Sequence, residues 1–196
     1  SIFFRNNMIN LKKSCNFGVF MQEKLWLKKL VIIAIVGVLI GILISYSTYV
    51  GVEKTAGENF CSSCHTMKPM VESYKLDVHG GNNQFGFKAQ CTDCHLPHNN
   101  AANYLLTKAQ TGINDVFFES FTNTSKINWQ EKLKEPNKFV YDSGCLKCHS
   151  NLQEESLQNQ RAFLAHRAYF AKTTTQSCVD CHSNVGHKDL KEFIKS

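Results

Sequence analysis

Residues 30–50, LVIIAIVGVLIGILISYSTYV, run for 21 residues without a charge. A helix of about 20 residues, rising about 1.5 Å per residue, spans the hydrocarbon core of a bilayer. The run therefore predicts a transmembrane helix. A helix buried in a soluble core rarely continues this far without a strongly polar residue, and a cleaved signal peptide has a shorter apolar stretch followed by a small-residue cleavage site. The run reads as an uncleaved anchor. Further on, residues 101–121 and 152–172 carry apolar positions at helical spacing, and Asn128 three places before Glu131 is a helix-capping signal. No stretch alternates in the manner of a strand, and Leu, Ile and Val become scarce after residue 60. The expected fold class is mainly α: one N-terminal transmembrane helix, then a domain of helices and loops. The boundaries expected are an N-terminal segment 1–29, the anchor 30–50, a linker 51–60 and a domain 61–196.

Charge orients this arrangement. The net charge is +6, but residues 1–50 hold Arg5, Lys12, Lys13, Lys24, Lys28 and Lys29 against Glu23 alone. The remainder is nearly balanced, with no basic block to grip phosphates, so nucleic acid is set aside as a partner. Lysines in front of an apolar helix stay in the cytoplasm, with Tyr46 and Tyr49 at the far interface. That sends residues 51–196 outward, in a bacterium to the periplasm, with the anchor in the inner membrane. MQEKLWLKKL from Met21 looks like a natural start, and residues 1–20 read as upstream sequence without a role.

Nine cysteines then change the picture. Eight form C-x-x-C pairs, Cys61/Cys64, Cys91/Cys94, Cys145/Cys148 and Cys178/Cys181, and only Cys15 stands alone. A histidine follows every pair directly: His65, His95, His149 and His182. Half of the chain's eight histidines occupy these four slots. C-x-x-C-H is the attachment signature of haem c. Two thiols bond the two vinyl groups of one haem, and the next residue lies beneath the porphyrin where an imidazole binds iron. Zinc sites built from paired C-x-x-C motifs do not require histidine at the same offset each time, and no βαβ pattern supports a thioredoxin-type motif. Four covalent haems are expected, and they would supply much of the missing apolar core.

Gaps of 25 and 28 residues lie within the first and last motif pairs, and a longer one lies between the pairs. Each pair encloses one further histidine, His79 or His166, and each is followed by another, His98 or His187. Four irons have eight axial positions, so His79, His98, His166 and His187 are the candidate distal ligands. Imidazole is a common second ligand in electron carriers. A plain packing role is the competing reading for each, most plausible for His166 in RAFLAHRAYF. Which histidine serves which haem is left open by the spacing.

An apolar anchor followed by CSSCHTM, CTDCHLPH, CLKCH and CVDCHSNVGH, with KAQTGIND between the second and third motifs, resembles the NapC/NirT family of tetrahaem quinol dehydrogenases. That family includes the small subunit of cytochrome c nitrite reductase. The resemblance runs from about residue 30 onward. It implies a four-haem fold carrying electrons from menaquinol to a periplasmic terminal reductase of nitrite, nitrate or TMAO type, an electron-transfer subunit with quinol dehydrogenase activity. It also implies that Met67, in C-x-x-C-H-x-M, binds the first iron in place of His65, with Met70 a weaker competitor. Thioether ligation raises the reduction potential relative to two imidazoles.

The same resemblance puts Lys108 and Asp115, the K and D of KAQTGIND, at the quinol site. Helical periodicity agrees in part: Lys108, Gly112, Asp115 and Glu119 share a stripe, opposite Leu105, Ala109 and Val116. Gly112 leaves room for a flat ring, and a carboxylate is a useful base because quinol oxidation releases protons. Only ten residues separate Val50 from Cys61. Fully extended they reach roughly 35 Å, so the first haem must lie near the membrane. Two other functions compete: a terminal reductase acting alone through an open haem, and an anchored zinc module. No C-x-x-C-K variant accompanies the four motifs, which argues against the former.

Overall fold

The structure, a computed structural model, describes the backbone of residues 2–194 and the side chains of residues 22, 24–124 and 126–194. Residues 1–20, read above as upstream sequence, lie outside the described side chains. The chain forms two units, 1–53 and 54–196. Among the described residues every regular element is helical, with no strand.

The first unit is one helix, α1 (Ile2–Lys54). Its stretch Lys24–Lys54 is apolar and long enough to cross a membrane, and its most apolar window has no buried residue. A 31-residue helix is about 46 Å long, against about 30 Å of hydrocarbon. The apolar run therefore fits with helical turns to spare at both ends. The helix does not stop at Val50 but continues four residues into the expected linker.

The second unit strings short helices along irregular chain. They are α2 (Glu58–Cys61), α3 (Lys68–Lys75), α4 (Cys91–His95), α5 (Ala101–Phe121), α6 (Trp129–Lys132), α7 (Asp142–Cys148), α8 (Leu152–Glu155), α9 (Gln160–Phe170), α10 (Cys178–Cys181) and α11 (Leu190–Phe193). α5 covers the span expected from periodicity, and Asn100 starts it by accepting the amide of Asn103. Asn128 caps α6 by accepting the amide of Glu131 at 3.1 Å, as its spacing predicted. The single helix expected over residues 152–172 is a correction. The chain breaks there into α8, a tight turn at Ser156–Gln158 and α9. Asn159 turns its side chain to accept the amide of Ala162 and so begins a new helix. This is the preference of asparagine for caps over helix interiors.

The apolar interior is small. Buried hydrophobic side chains among the described residues are Ala56, Val71, Tyr74, Ala89, Leu96, Val179 and Ile194. A unit of about 140 residues normally buries most of its apolar surface to offset chain entropy. Seven such side chains, two of them alanine, fall well short. What protein packing exists ties distant segments together. α11 lies on α3, where buried Ser73 donates its hydroxyl to the Lys188 carbonyl at 2.7 Å. Tyr74 donates to the carbonyl of Ala89 in the segment leading to α4.

Candidate haem-binding centre

Each C-x-x-C pair sits at a helix end, and local sequence explains why. In CTDC and CVDC the aspartate before the second cysteine reaches back to the N-cap. Asp93 accepts the Gln90 amide at 2.8 Å and Asp180 the Ser177 amide at 2.7 Å. Both helices then end at or beside the motif histidine, His95 or His182. α7 ends at Cys148 with His149 as its C-cap. The eight motif cysteines are free thiols, half-buried or exposed.

The motifs lie next to one another in chain order. Cys61 and Cys91 are within hydrogen-bond reach, which pulls the Cys61 thiol down. Motifs two and three meet through α4 and α7. Tyr141 donates its amide to the Cys94 carbonyl at 3.0 Å, and Lys147 pairs with Asp93 at 2.7 Å. Gly144 is the contact point, since a Cβ there would lie 1.9 Å from the Asp93 carbonyl oxygen. Motifs three and four share a hydrogen bond between Cys145 and Cys178. Asp142 clamps the same junction, accepting from the Cys178 amide at 3.0 Å and the Tyr169 hydroxyl at 2.8 Å.

Six histidines come together as three ring pairs. His95 and His187 have ring centres 6.0 Å apart, His79 and His149 6.3 Å, and His166 and His182 6.3 Å with nearly parallel planes. Two imidazoles on opposite sides of one metal, each bonded at about 2 Å, put their ring centres about 6 Å apart. Hydrogen bonds at the other ring nitrogen agree. Nδ1 of His79 meets Asp77 at 3.0 Å, Nδ1 of His95 the Phe139 carbonyl at 2.8 Å, and Nδ1 of His187 the Met70 carbonyl at 2.9 Å. Holding Nδ1–H on an acceptor leaves Nε2 unprotonated, the form that binds metal. His166 carries a buried Nδ1 with no hydrogen-bond partner among the described residues. Such a nitrogen is costly to bury unless something else meets the ring. Paired thiols, facing imidazoles and a deficient apolar core together fit haem c.

His65 and His98 stand apart. His65 is exposed and engaged at both nitrogens, Nδ1 with Glu119 at 2.5 Å and Nε2 with the Thr124 hydroxyl at 3.2 Å. His98 turns its Nε2 to the Thr92 carbonyl at 3.0 Å and packs beside Tyr104. Met67 is half-buried in the turn His65–Met67 that follows Cys64.

α5 lies against this first motif. Glu119 also accepts from the Thr66 hydroxyl at 2.8 Å and the His65 amide at 3.1 Å. Those bonds, the hydroxyl's first, hold its carboxyl below the usual range. Lys108 donates to the Thr55 carbonyl at 3.1 Å. Lys108 and Asp115 both act on Cys61, the lysine lowering and the aspartate raising its thiol. Asp115 is more than a third exposed, yet the protein around its carboxyl raises its pKa, with His95 pulling the other way. A Cβ on Gly112 would meet nothing within 4 Å. Lys108, Asp115 and Glu119 thus share the side of α5 that faces Cys61 and Cys64.

Two contributors escaped the sequence reading. Asp77 orients His79 from two places away, a D-x-H spacing that could have flagged it. Asp142 joins three helices and carries no local signal of that role. Among the described residues no group of three or more His, Cys, Asp or Glu could hold a single metal ion, so a zinc cage has no ligand set.

Comparison with known proteins agrees with this chemistry. The family model for the NapC/NirT cytochrome c family, N-terminal region, matches residues 24–192. The cytochrome c-type protein NapC of Escherichia coli K12 is 30% identical over 182 residues, covering 87% of each chain. The tetraheme c-type cytochrome CymA of Shewanella oneidensis is 28% identical over 166 residues, 78% of this chain and 87% of CymA. The cytochrome c-type protein TorC of Escherichia coli K12 is 30% identical over 168 residues, 78% of this chain but only 40% of TorC. No solved structure matches. With its apolar anchor, its haem attachment pairs and a match over most of its length, this electron-transport chain belongs to the NapC/NirT cytochrome c family.

Proposed function

We propose that this chain is a tetrahaem quinol dehydrogenase subunit of the inner membrane, which oxidises menaquinol and delivers the electrons to a periplasmic terminal reductase. The observation that carries the reading is the set of three facing histidine pairs, one per motif from the second to the fourth, beside a first motif flanked by Lys108 and Asp115. Cys61, Cys64 and Met67 would hold the first haem. Cys91, Cys94, His95 and His187 would hold the second, and Cys145, Cys148, His149 and His79 the third. Cys178, Cys181, His182 and His166 would hold the fourth. Bound haem c supplies one-electron carriers.

The chain's own residues do the rest. Asp115 takes a proton from the quinol, and its raised pKa brings it toward the proton it must accept. Lys108 offers an Nζ–H to a quinone oxygen. Glu119 and Thr124 occupy both ring nitrogens of His65, so Met67 would be the residue that holds the first haem's metal. A terminal reductase needs an open axial position. Two imidazoles would hold each of the haems at motifs two to four, which supports electron carriage rather than substrate binding at those three. The lysine bias ahead of the anchor supports the outward orientation, and the resemblance supports nitrite, nitrate and TMAO reductases as classes of partner.

The test is turnover of a menaquinol analogue by the haem-loaded protein. Asp115→Asn keeps the shape and removes the base, so the rate should fall about 10²-fold or more. Lys108→Ala should also slow the reaction, and dithionite should still reduce every haem in both. Wild-type rates in both variants would show that this face of α5 plays no part in quinol oxidation.

A further inference from the structure

α5 is amphipathic the wrong way round for a helix on a soluble surface. Its charged stripe faces the protein: Lys108 reaches Thr55, Glu119 reaches His65 and Thr66, and Tyr104 packs on His98. The opposite face is mostly apolar and bare, with Gln110 and Asn114 the polar side chains among its apolar ones. Leu106 is 71% exposed, Ile113 70% and Phe121 78%, with Val116 and Phe117 also exposed. α5 buries no residue at all. Phe117 lies 6.1 Å from Phe118 and 5.1 Å from Phe121, ring centre to ring centre, so aromatic rings gather at one end. Water does not tolerate a contiguous face of this kind without cost, and such patches mark contact surfaces. The first motif does not cover it, because His65 and Thr66 are held by Glu119 from the charged stripe.

Chain continuity identifies the cover. Thr55, which Lys108 holds, is the residue next to Lys54, where the membrane-crossing stretch ends. From Lys54 to Cys61 the chain runs through three non-helical residues and the four of α2. That reach is about 17 Å at most. α5 is thereby tethered within a short span of the bilayer surface. Helices that rest there bury an apolar, aromatic-rich face about 5–10 Å into the headgroup boundary.

We propose that α5 is an interfacial helix: its Leu106, Ile113, Phe117 and Phe121 face rests in the lipid headgroup region, while its Lys108, Asp115 and Glu119 face holds the first motif. Quinols are lipid-soluble, so a helix half-sunk in this way sets its polar side at the depth a quinol headgroup reaches. The proposal rests on membrane anchoring and not on quinol turnover.

The experiment uses full-length haem-loaded protein in nanodiscs of phosphatidylethanolamine and phosphatidylglycerol. The photocrosslinking residue p-benzoylphenylalanine replaces Leu106, Ile113 or Phe117 in turn. Leu39 in the anchor and exposed Gln153 serve as controls, and an unchanged haem spectrum confirms folding. After irradiation, intact mass reads what each position touched. Lipid adducts at Leu39 and at the three α5 positions, with none at Gln153, are expected. A protein dimer cross-linked through α5 would overturn the proposal by showing a second copy on this face. So would a Leu39 adduct with no α5 adduct, or equal lipid adducts at Gln153. Failure at Leu39 as well would overturn the anchor and the proposal together.

Discussion

At the residue scale, the two kinds of histidine differ in which ring nitrogen the protein occupies. His79, His95 and His187 give Nδ1 to an oxygen, whereas His98 spends Nε2 on the Thr92 carbonyl. That difference makes an expected outcome. His79→Ala should convert one haem from the low-spin to the high-spin signature and leave the others unchanged, because it removes one side of one pair. His98→Ala should leave the spin state of every haem as it is in the unsubstituted protein. Electron paramagnetic resonance of the oxidised protein reads both, and a high-spin signal that the second variant gains over the unsubstituted protein would show His98 to be a ligand. Asp77→Asn should have a milder effect in the same direction as the loss of His79, since oxygen partners of metal-bound histidine change affinity by about 10–100-fold.

At the element scale, short motif helices are held in register by backbone contact and little else. α7 approaches α4 so closely that only glycine fits at position 144. Gly144→Ala forces a methyl group against a backbone carbonyl that has no rotamer to yield. Overpacking of this kind costs about 1–3 kcal/mol, so the melting temperature of the haem-loaded protein should fall by about 3–10 °C. A scan of absorbance at the haem bands measures it, and an unchanged midpoint would mean that α4 and α7 separate freely. The break between α8 and α9 belongs to this scale too. Periodicity joins residues 152–172 into one helix because apolar spacing is blind to caps. Asn159 decides otherwise, and the turn it makes is what lets α9 carry His166 to His182.

At the scale of the whole molecule, the second unit has too few buried apolar side chains to fold on packing alone. The chain should therefore be two-state with respect to its cofactor. Expressed with c-type maturation machinery, the exported protein should gain the mass of four haems and show cooperative unfolding. Expressed without it, residues 54–196 should be protease-sensitive while the anchor helix persists. Circular dichroism and limited proteolysis of both preparations check this, and a compact, protected domain without haem would refute it. A reporter that works only in the periplasm, fused to the C-terminus, should be active. A cytoplasmic signal would overturn the orientation drawn from the lysines.

The anchor, the haem attachment pairs and the extent of α5 were legible in the sequence because each is written in neighbouring residues. An apolar run carries its own length, C-x-x-C-H carries its own chemistry, and the span of α5 follows from period and the Asn100 cap. Lys108, Asp115 and Glu119 likewise share a face by helical arithmetic. What tertiary structure decided is which distant residues meet. His79 and His149, or His95 and His187, come from different parts of the chain, and nothing local to one names the other. Their pairing depends on the path through α3, α4 and α11, set by contacts such as Ser73 with Lys188 and Gly144 with Asp93. The direction of α5 was settled in the same way. Periodicity predicts two faces and cannot say which one turns inward, and an apolar face is ordinarily taken as the buried one. Bonds from Lys108 to Thr55 and from Glu119 to His65 and Thr66 turn the charged face in. They leave the apolar face outward, close in chain distance to the membrane.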